Sequence, residues 1–432
     1  MRVLRIELRR SAALWAALLT VVVSLGMFYS LSGPWWKGTS AWTSEWTTLA
    51  LWQRWLLLET WPLALGIGAW QGRRDARSTM DELAASTPRP AWQRVLPLVS
   101  AMALGQITAY LAIFFVGGVQ VAFNTDYFPL SWVPVALVGI LSTVAAALLG
   151  MGVGRAVPSI VTPPAVAALG LAGLILLMGT PDDQSNLHGT VSQAIALLSP
   201  NLGTPHAAFS AVTTQVNLLQ GIWFLGLGVT GFSLYAATKR KELALLPALA
   251  AFAIALPLFP NDRAGVLRTD PEAVALVCAD DSPRVCVTRV HQDSLGSIVG
   301  PAREALTMLA KIPGAPTAVE EDTTAFNARG PHPRKPGVVL VSFDDWQFAS
   351  RPRDRILIGP DASCDSWAQT LQVYANRTAV VSWLEGSFRL PYRDQDGTLQ
   401  PLAESTWNAL RALPAAEQPA KVAELRDGSC SG

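Results

Sequence analysis

The residues most able to do chemistry fall in three places. The segment 72–94 reads GRRDARSTMDELAASTPRPAWQR. Thr79 and Glu82 have the spacing of a capping box, in which the hydroxyl accepts from the third helical N–H and the carboxylate reaches back to the cap. Leu83, Ala84 and Ala85 continue one or two turns, and Ser86-Thr87-Pro88 stops them before Arg89. This predicts a short capped helix between two apolar runs, with arginines on its entry side and Trp92 on its exit side. Its chemistry is docking: it can seat a soluble partner and pass on that partner's movement. The second place is Glu59, in Leu57-Leu58-Glu59-Thr60-Trp61-Pro62. A carboxylate inside an apolar run is expensive, so it either lines a polar pathway or sits shallow, protonated or paired. Pro62 can kink the same helix and free carbonyls. The third place is the set Cys278, Cys286, Cys364 and Cys430, all late in the chain. They show no CxxC pair and no Cys/His zinc spacing. They read as disulfides in an oxidising compartment or as four unpaired small hydrophobes. Four cysteines allow three pairings.

Other polar residues carry less. Gln106 and Tyr110 stand at i and i+4 in one apolar run, positioned to bond across helices for about 0.6–2 kcal/mol or simply to pack. Gly150, Gly152 and Gly154 permit close helix contact. His188, His206, His291 and His332 show no HExxH spacing and read as surface or loop residues. Asp344-Asp345 and Asp361 near Cys364 are carboxylates of the kind used in acid–base work. No nucleophile, base and orienting group assemble around them, so they read as solvated surface. Asn376-Arg377-Thr378 matches a glycosylation sequon, a weak pattern. There is no Gly-x-x-x-x-Gly-Lys-Ser/Thr run, so no phosphate cradle is visible. No metal or cofactor is expected, and a net charge of +1 gives no sign of a nucleic-acid partner.

These residues belong to a chain that is 50% hydrophobic and only 15% charged, against about 25% charged in soluble proteins. Of the 33 Lys and Arg, 18 follow Pro260. The first 260 residues therefore read as a membrane domain and 261–432 as a separate one. Each span needs about 20 apolar residues. Seven are expected, near 11–31, 50–70, 95–117, 133–153, 161–179, 217–237 and 243–260. The last is short and holds Pro247 and Pro257. Alternate loops carry Arg2, Arg5, Arg9 and Arg10; Arg73, Arg74, Arg77, Arg89 and Arg94; Arg155; and Lys239, Arg240 and Lys241. The opposite loops carry only Lys37 and Arg54. The positive-inside rule puts the first set, and the N-terminus, in the cytoplasm. Seven spans then place the last domain outside, where disulfides form. Trp35, Trp36, Trp42, Trp46, Trp52 and Trp55 crowd the first outer loop. They predict an amphipathic element along the membrane surface, with Arg54 snorkelling at its edge.

In the last domain Val274–Cys278 and Val285–Val287 flank Asp280-Asp281-Ser282-Pro283, a hairpin that Cys278 and Cys286 could bridge. Helices are expected at 301–311, 363–374, 402–413 and 418–426, and strands at 338–342, 356–358 and 379–384. The alternation predicts a small α/β domain, with a loop at 322–336.

The order in segment 72–94 (charged cluster, T-x-[DE]-x-L, two small residues, [ST]-x-P, Arg, next span) resembles the coupling segment of type-2 ABC exporter permeases. The resemblance covers roughly residues 1–240. It implies six spans with a cytoplasmic N-terminus and a separate ATPase subunit touching Thr79, Asp81, Glu82, Leu83, Ser86, Thr87, Pro88 and Arg89. It also implies pairing with a second permease subunit, the same or different, in the plasma membrane of a prokaryote. The family commonly has several acidic residues among the arginines and a Gly before the Thr; this chain has Asp75 and Ser78, and a seventh span with an outer domain is additional. The expectation is an export permease that is not itself an enzyme. The alternative is a membrane-anchored sensor or scaffold whose outer domain binds a partner.

Overall fold

The computed structural model describes residues 13–31, 42–43, 45–77, 90–178, 191–202, 209–237, 241–261, 263–323, 335–343, 351–359, 364, 366–391 and 397–428. They group into two compact units, one running to Asp270 and the other from Pro271 onward.

The first unit is helical: α1 (Ala13–Leu31), α2 (Trp46–Trp55), α3 (Leu57–Arg77), α4 (Ala91–Asn124), α5 (Trp132–Ala156), α6 (Thr162–Leu177), α7 (Thr214–Ala236) and α8 (Leu246–Leu258). Among the described residues, five helical stretches are long and apolar enough to cross a bilayer: α1, α4, α5, α7, and Lys241–Leu258, which contains α8. The chain is thus a multi-pass membrane protein. α4 has 34 residues, about 51 Å at 1.5 Å per residue, longer than the hydrocarbon core. Two expected spans come out differently. The run 50–70 is broken by a turn at Leu56 into α2 and α3, and α3 ends in Arg73, Arg74, Asp75 and Arg77. The fifth is α6, an apolar helix of 16 residues opened by prolines in its first turn.

Packing follows from small residues. α5 is the centre, and α3 lies against it through two facing G-x-x-x-G pairs. A Cβ on Gly68 or Gly72 would fall on the carbonyl of Ala147 or Met151. One on Gly150 or Gly154 would fall on the carbonyl of Leu65 or Ala69. Lipid tails are as apolar as the side chains, so close backbone approach is what holds such helices together. The other face of α5 takes α7, where a Cβ on Gly152 would fall 2.6 Å from the Gly231 carbonyl oxygen and one on Gly231 would strike the backbone of Leu148 and Leu149. At the start of α8 the free amide of Ala248 donates to Thr230 Oγ1 at 3.0 Å, satisfying one orphan helix-terminal N–H.

The described part of the tryptophan-rich stretch packs into the bundle, with Trp42 buried and Trp46, Trp52 and Trp55 half-buried. Trp42 is 1% exposed and stacks on Phe28 at 5.0 Å. Trp46 packs with Phe128 and Trp132, and Phe114 stacks on Trp132 at 4.7 Å. In α2 the residues Thr47 to Leu51, with Gln53 and Arg54, are buried. This element is held between other helices instead of lying along a surface, because both its faces have partners. Trp35 and Trp36 lie outside the described residues. The strands β1 (Ser210–Val212) and β2 (Leu267–Thr269) pair antiparallel and tie the chain beyond α8 to the helical unit.

The second unit is α/β. Its sheet has the order β3 (Leu276–Cys278), β4 (Arg284–Thr288), β5 (Ala318–Glu321) and β6 (Val338–Val341). β3 and β4 form the expected hairpin; β4, β5 and β6 run parallel. Helix α9 (Leu295–Leu309) crosses between β4 and β5, and α10 (Pro352–Ile358), α11 (Trp367–Glu385), α12 (Leu399–Ala412) and α13 (Gln418–Asp427) follow. The core joins Val285, Val319 and Val339 of the sheet to Leu306, Ile356, Val380, Leu410 and Val422 of the helices. Two expected strands are helical. Residues 356–358 close α10, and 379–384 are the buried last turns of α11. Thr378 to Ser382 are buried on all sides there, and tertiary packing overrides the β-preference of Val380 and Val381. The sequon falls inside α11, with Arg377 and Thr378 buried. Helix α9 begins at Leu295, ahead of its expected start, and carries Pro301 within it.

Cys278 and Cys286 face each other in the hairpin register and form a disulfide with Cα atoms 4.0 Å apart. Cys364 is also disulfide-bonded; Cys430 lies outside the described residues.

Candidate functional site

Five helices of the membrane unit each turn a polar residue toward one cavity. Its volume is about 10 Å³, and Thr20 and Ser24 of α1, Gln53 of α2, Thr60 of α3, Gln106 and Tyr110 of α4, and Thr143 of α5 line it with Leu57 and Ile113. The spacings are helical: 20 and 24, 106 and 110 each lie four apart, on one face. Three hydroxyls already give their protons to their own helices, Thr20 to Ala16 O at 2.9 Å, Thr60 to Leu56 O at 3.1 Å and Thr143 to Ile140 O at 2.8 Å. Gln53 Nε2 donates to Tyr110 O at 2.8 Å, fixing α2 against α4. Four other polar atoms, Gln53 Oε1, both amide atoms of Gln106 and Tyr110 Oη, are buried with no hydrogen-bond partner among the described residues. Gly139 of α5 leaves the space that the Tyr110 hydroxyl occupies.

Next to Gln53, Arg54 is 0% exposed. It does not snorkel. Its Nε donates to Pro200 O at 2.7 Å and its Nη2 to Gln220 Oε1 at 2.9 Å. Gln220 Nε2 in turn donates to the carbonyls of Leu197 and Ser199 at 2.9 and 3.1 Å. Non-helical backbone at 197–200 has carbonyls that no helix satisfies, and a buried guanidinium with five donors is suited to serve them. At the start of the same helix, Glu45 caps α2: its Oε1 accepts from Thr48 N at 3.0 Å and Thr48 Oγ1 at 2.7 Å. Burial, with Asp270 nearby, pushes the Glu45 carboxyl up to about 8.

At the far end of α3, Tyr235 Oη of α7 donates to Asp75 Oδ2 at 2.6 Å, and Gln71 Nε2 donates to the same carboxylate at 3.0 Å. The Arg155 guanidinium of α5 lies 5.1 Å over the Tyr235 ring. This cluster joins three helices immediately before residue 78. Thr79, Asp81, Glu82, Leu83, Ser86, Thr87, Pro88 and Arg89 lie outside the described residues, which resume at Pro90. Glu59 sits in the first turn of α3, half-buried, and is not among the residues lining the cavity, although its neighbours Leu57 and Thr60 are. No family model, curated protein or solved structure matches this chain.

The second unit holds a buried polar cluster at the carboxyl ends of β4 and β5. Glu321, 2% exposed, accepts from Thr288 N at 2.7 Å and Thr288 Oγ1 at 2.8 Å through Oε2, and faces His291 Nδ1 at 2.6 Å through Oε1. The His291 ring stacks on Phe343 at 4.3 Å. The His291 side chain is therefore largely covered, 10% exposed, instead of lying free on the surface. The composition suggests a hydroxyl–imidazole–carboxylate triad, but the geometry does not. Thr288 Oγ1 and Glu321 meet the same nitrogen, Nδ1, whereas a triad needs the hydroxyl on the opposite ring nitrogen. His188, His206, His332, Asp344, Asp345 and Asp361 lie outside the described residues.

Sequence reasoning passed over Gln53 and misjudged Arg54. The available signal was two adjacent strongly polar residues, Gln53-Arg54, within the apolar run at 49–58. Intramembrane polar residues face protein interiors by default.

Proposed function

We propose that this chain is the membrane-spanning permease subunit of an ABC-type exporter, coupled through residues 78–89 to a separate ATPase subunit. The observation that carries this reading is a connection. The two helices that flank the segment, α3 and α4, are the same two that supply Thr60, Gln106 and Tyr110 to the polar cavity. α3 is locked to α5 by glycine contacts and to α7 by the Asp75–Tyr235 bond, so a push on the segment moves a rigid three-helix block against α4. In this reading the permease works as a homo- or heterodimer in a prokaryotic plasma membrane. Its N-terminus is cytoplasmic and the α/β unit from Pro271 lies outside, where a disulfide-bearing domain is at home. Asp81 and Glu82 supply the charged contacts to the ATPase.

A second reading is a membrane-anchored sensor or scaffold. It is favoured by the small size of this cavity, about 10 Å³. Gentle extraction of the native complex and mass spectrometry of what co-purifies separates the two. The permease reading expects a stoichiometric ATPase subunit that is lost when Asp81→Lys and Glu82→Lys are introduced. Recovery of the chain with an extracytoplasmic partner and no ATPase sinks it.

A further inference from the structure

We propose that the cavity among α1 to α5 is a hydration site, holding one ordered water that joins Tyr110 and Gln106 of α4 to Gln53 of α2. The size fits: about 10 Å³ is roughly one water's worth of space. The chemistry of the lining decides between water and an ion. Tyr110 Oη and Gln106 Nε2 bring donors, whereas Gln53 Oε1 and Gln106 Oε1 bring acceptors, and all four lack a partner among the described residues. A bare cation needs oxygens only, and an N–H beside it is repulsive. An anion needs donors only, and two amide oxygens beside it are repulsive. A water takes both, accepting from Tyr110 and Gln106 while donating to the two carbonyl oxygens. No carboxylate lines the cavity to balance a cation, and the buried guanidinium of Arg54 stands next to Gln53.

The need for such a ligand is energetic. A buried polar atom left without a bond costs about 1–3 kcal/mol, and a hydrocarbon interior offers no alternative partner. One water can make two to four bonds, typically about three, which covers most of these four atoms. The site belongs to this bundle whether or not an ATPase docks on residues 78–89.

Radiolytic hydroxyl-radical labelling of the full chain in lipid nanodiscs tests this, because radicals formed from a bound water mark the side chains beside it. Phe224, 0% exposed and outside the cavity lining, is the dry reference. Tyr110 is expected to be oxidised severalfold faster than Phe224, and to fall to the Phe224 level in Gln106→Leu and in Gln53→Leu. Tyr110 labelled no faster than Phe224 in the wild-type protein means a dry cavity and overturns the proposal, independently of how the variants fold. Thermal stability is expected to be unchanged when sodium chloride is replaced by choline chloride or by sodium gluconate. A clear shift on either replacement means a bound ion and also overturns it.

Discussion

Glu45 offers the sharpest test of the polar interior. Its carboxyl is 1% exposed, caps α2 through Thr48, and is driven by burial to hold its proton up to about pH 8 instead of 4.5. At about 1.36 kcal/mol for each tenfold change, that displacement amounts to about 5 kcal/mol. The sign follows from linkage: the folded protein binds this proton more tightly than the unfolded chain. Below about pH 4.5 both states are protonated and the full stability is present. Between about 4.5 and 8 the unfolded chain ionises first, so stability falls as pH rises, and above about 8 the loss is complete. Glu45→Gln keeps an acceptor for Thr48 N and removes the titration. Melting temperatures of the purified protein at steps between pH 5 and pH 9, wild type beside variant, give the readout as a difference at each pH. That pairing matters because membrane-protein unfolding is often irreversible. The variant is expected to match the wild type near pH 5 and to exceed it increasingly toward pH 8. Parallel curves across the range refute the reasoning, since they mean that Glu45 ionises in the folded bundle as easily as in water.

Other perturbations have equally definite outcomes. Gly72→Ala places a Cβ on the Met151 carbonyl and is expected to destabilise the protein by about 1–3 kcal/mol. Gly173→Ala meets nothing within 4 Å and should gain up to about 1 kcal/mol of helix propensity, so the two melts should move in opposite directions. Cys278→Ser with Cys286→Ser opens a bridge between residues 8 apart, and should lower stability of the α/β unit by about 2.5 kcal/mol in the full chain, read by protease resistance. Tyr235→Phe deletes the bond to Asp75 at 2.6 Å, worth about 1.5–3 kcal/mol for a charged acceptor. Under the exporter reading it uncouples ATP hydrolysis from transport while ATPase binding persists.

Much of the membrane unit could be read locally. A bilayer demands about 20 apolar residues per crossing, and α1, α4, α5 and α7 each meet that demand within their own stretch of sequence. The Cys278–Cys286 hairpin was legible for the same reason, since its turn lies between its strands. The break at Leu56 was not. What makes α2 a separate buried element is Arg54 bonding to Pro200 and Gln220, 146 and 166 positions away, and no window of sequence contains both ends of those bonds. The end of α11 shows the same limit in the other domain. Val380 and Val381 read as strand residues, and only the helices and sheet around them make a buried helix the better arrangement.

The cavity raises a subtler point about which polar residues a sequence advertises. Charge draws notice to Glu59, because a lone acid in an apolar run has an obvious cost. The residues that line the cavity are neutral amides, hydroxyls and a phenol, and in a hydropathy window they are diluted by leucines and alanines. Yet neutral groups are what a membrane interior can gather in number. Several carboxylates there would repel one another and need cations, while Thr20, Thr60 and Thr143 satisfy their protons on their own helices and still present an oxygen inward. A polar interior can therefore be built from residues that each look ordinary, and it becomes visible only when five helices bring them to one point.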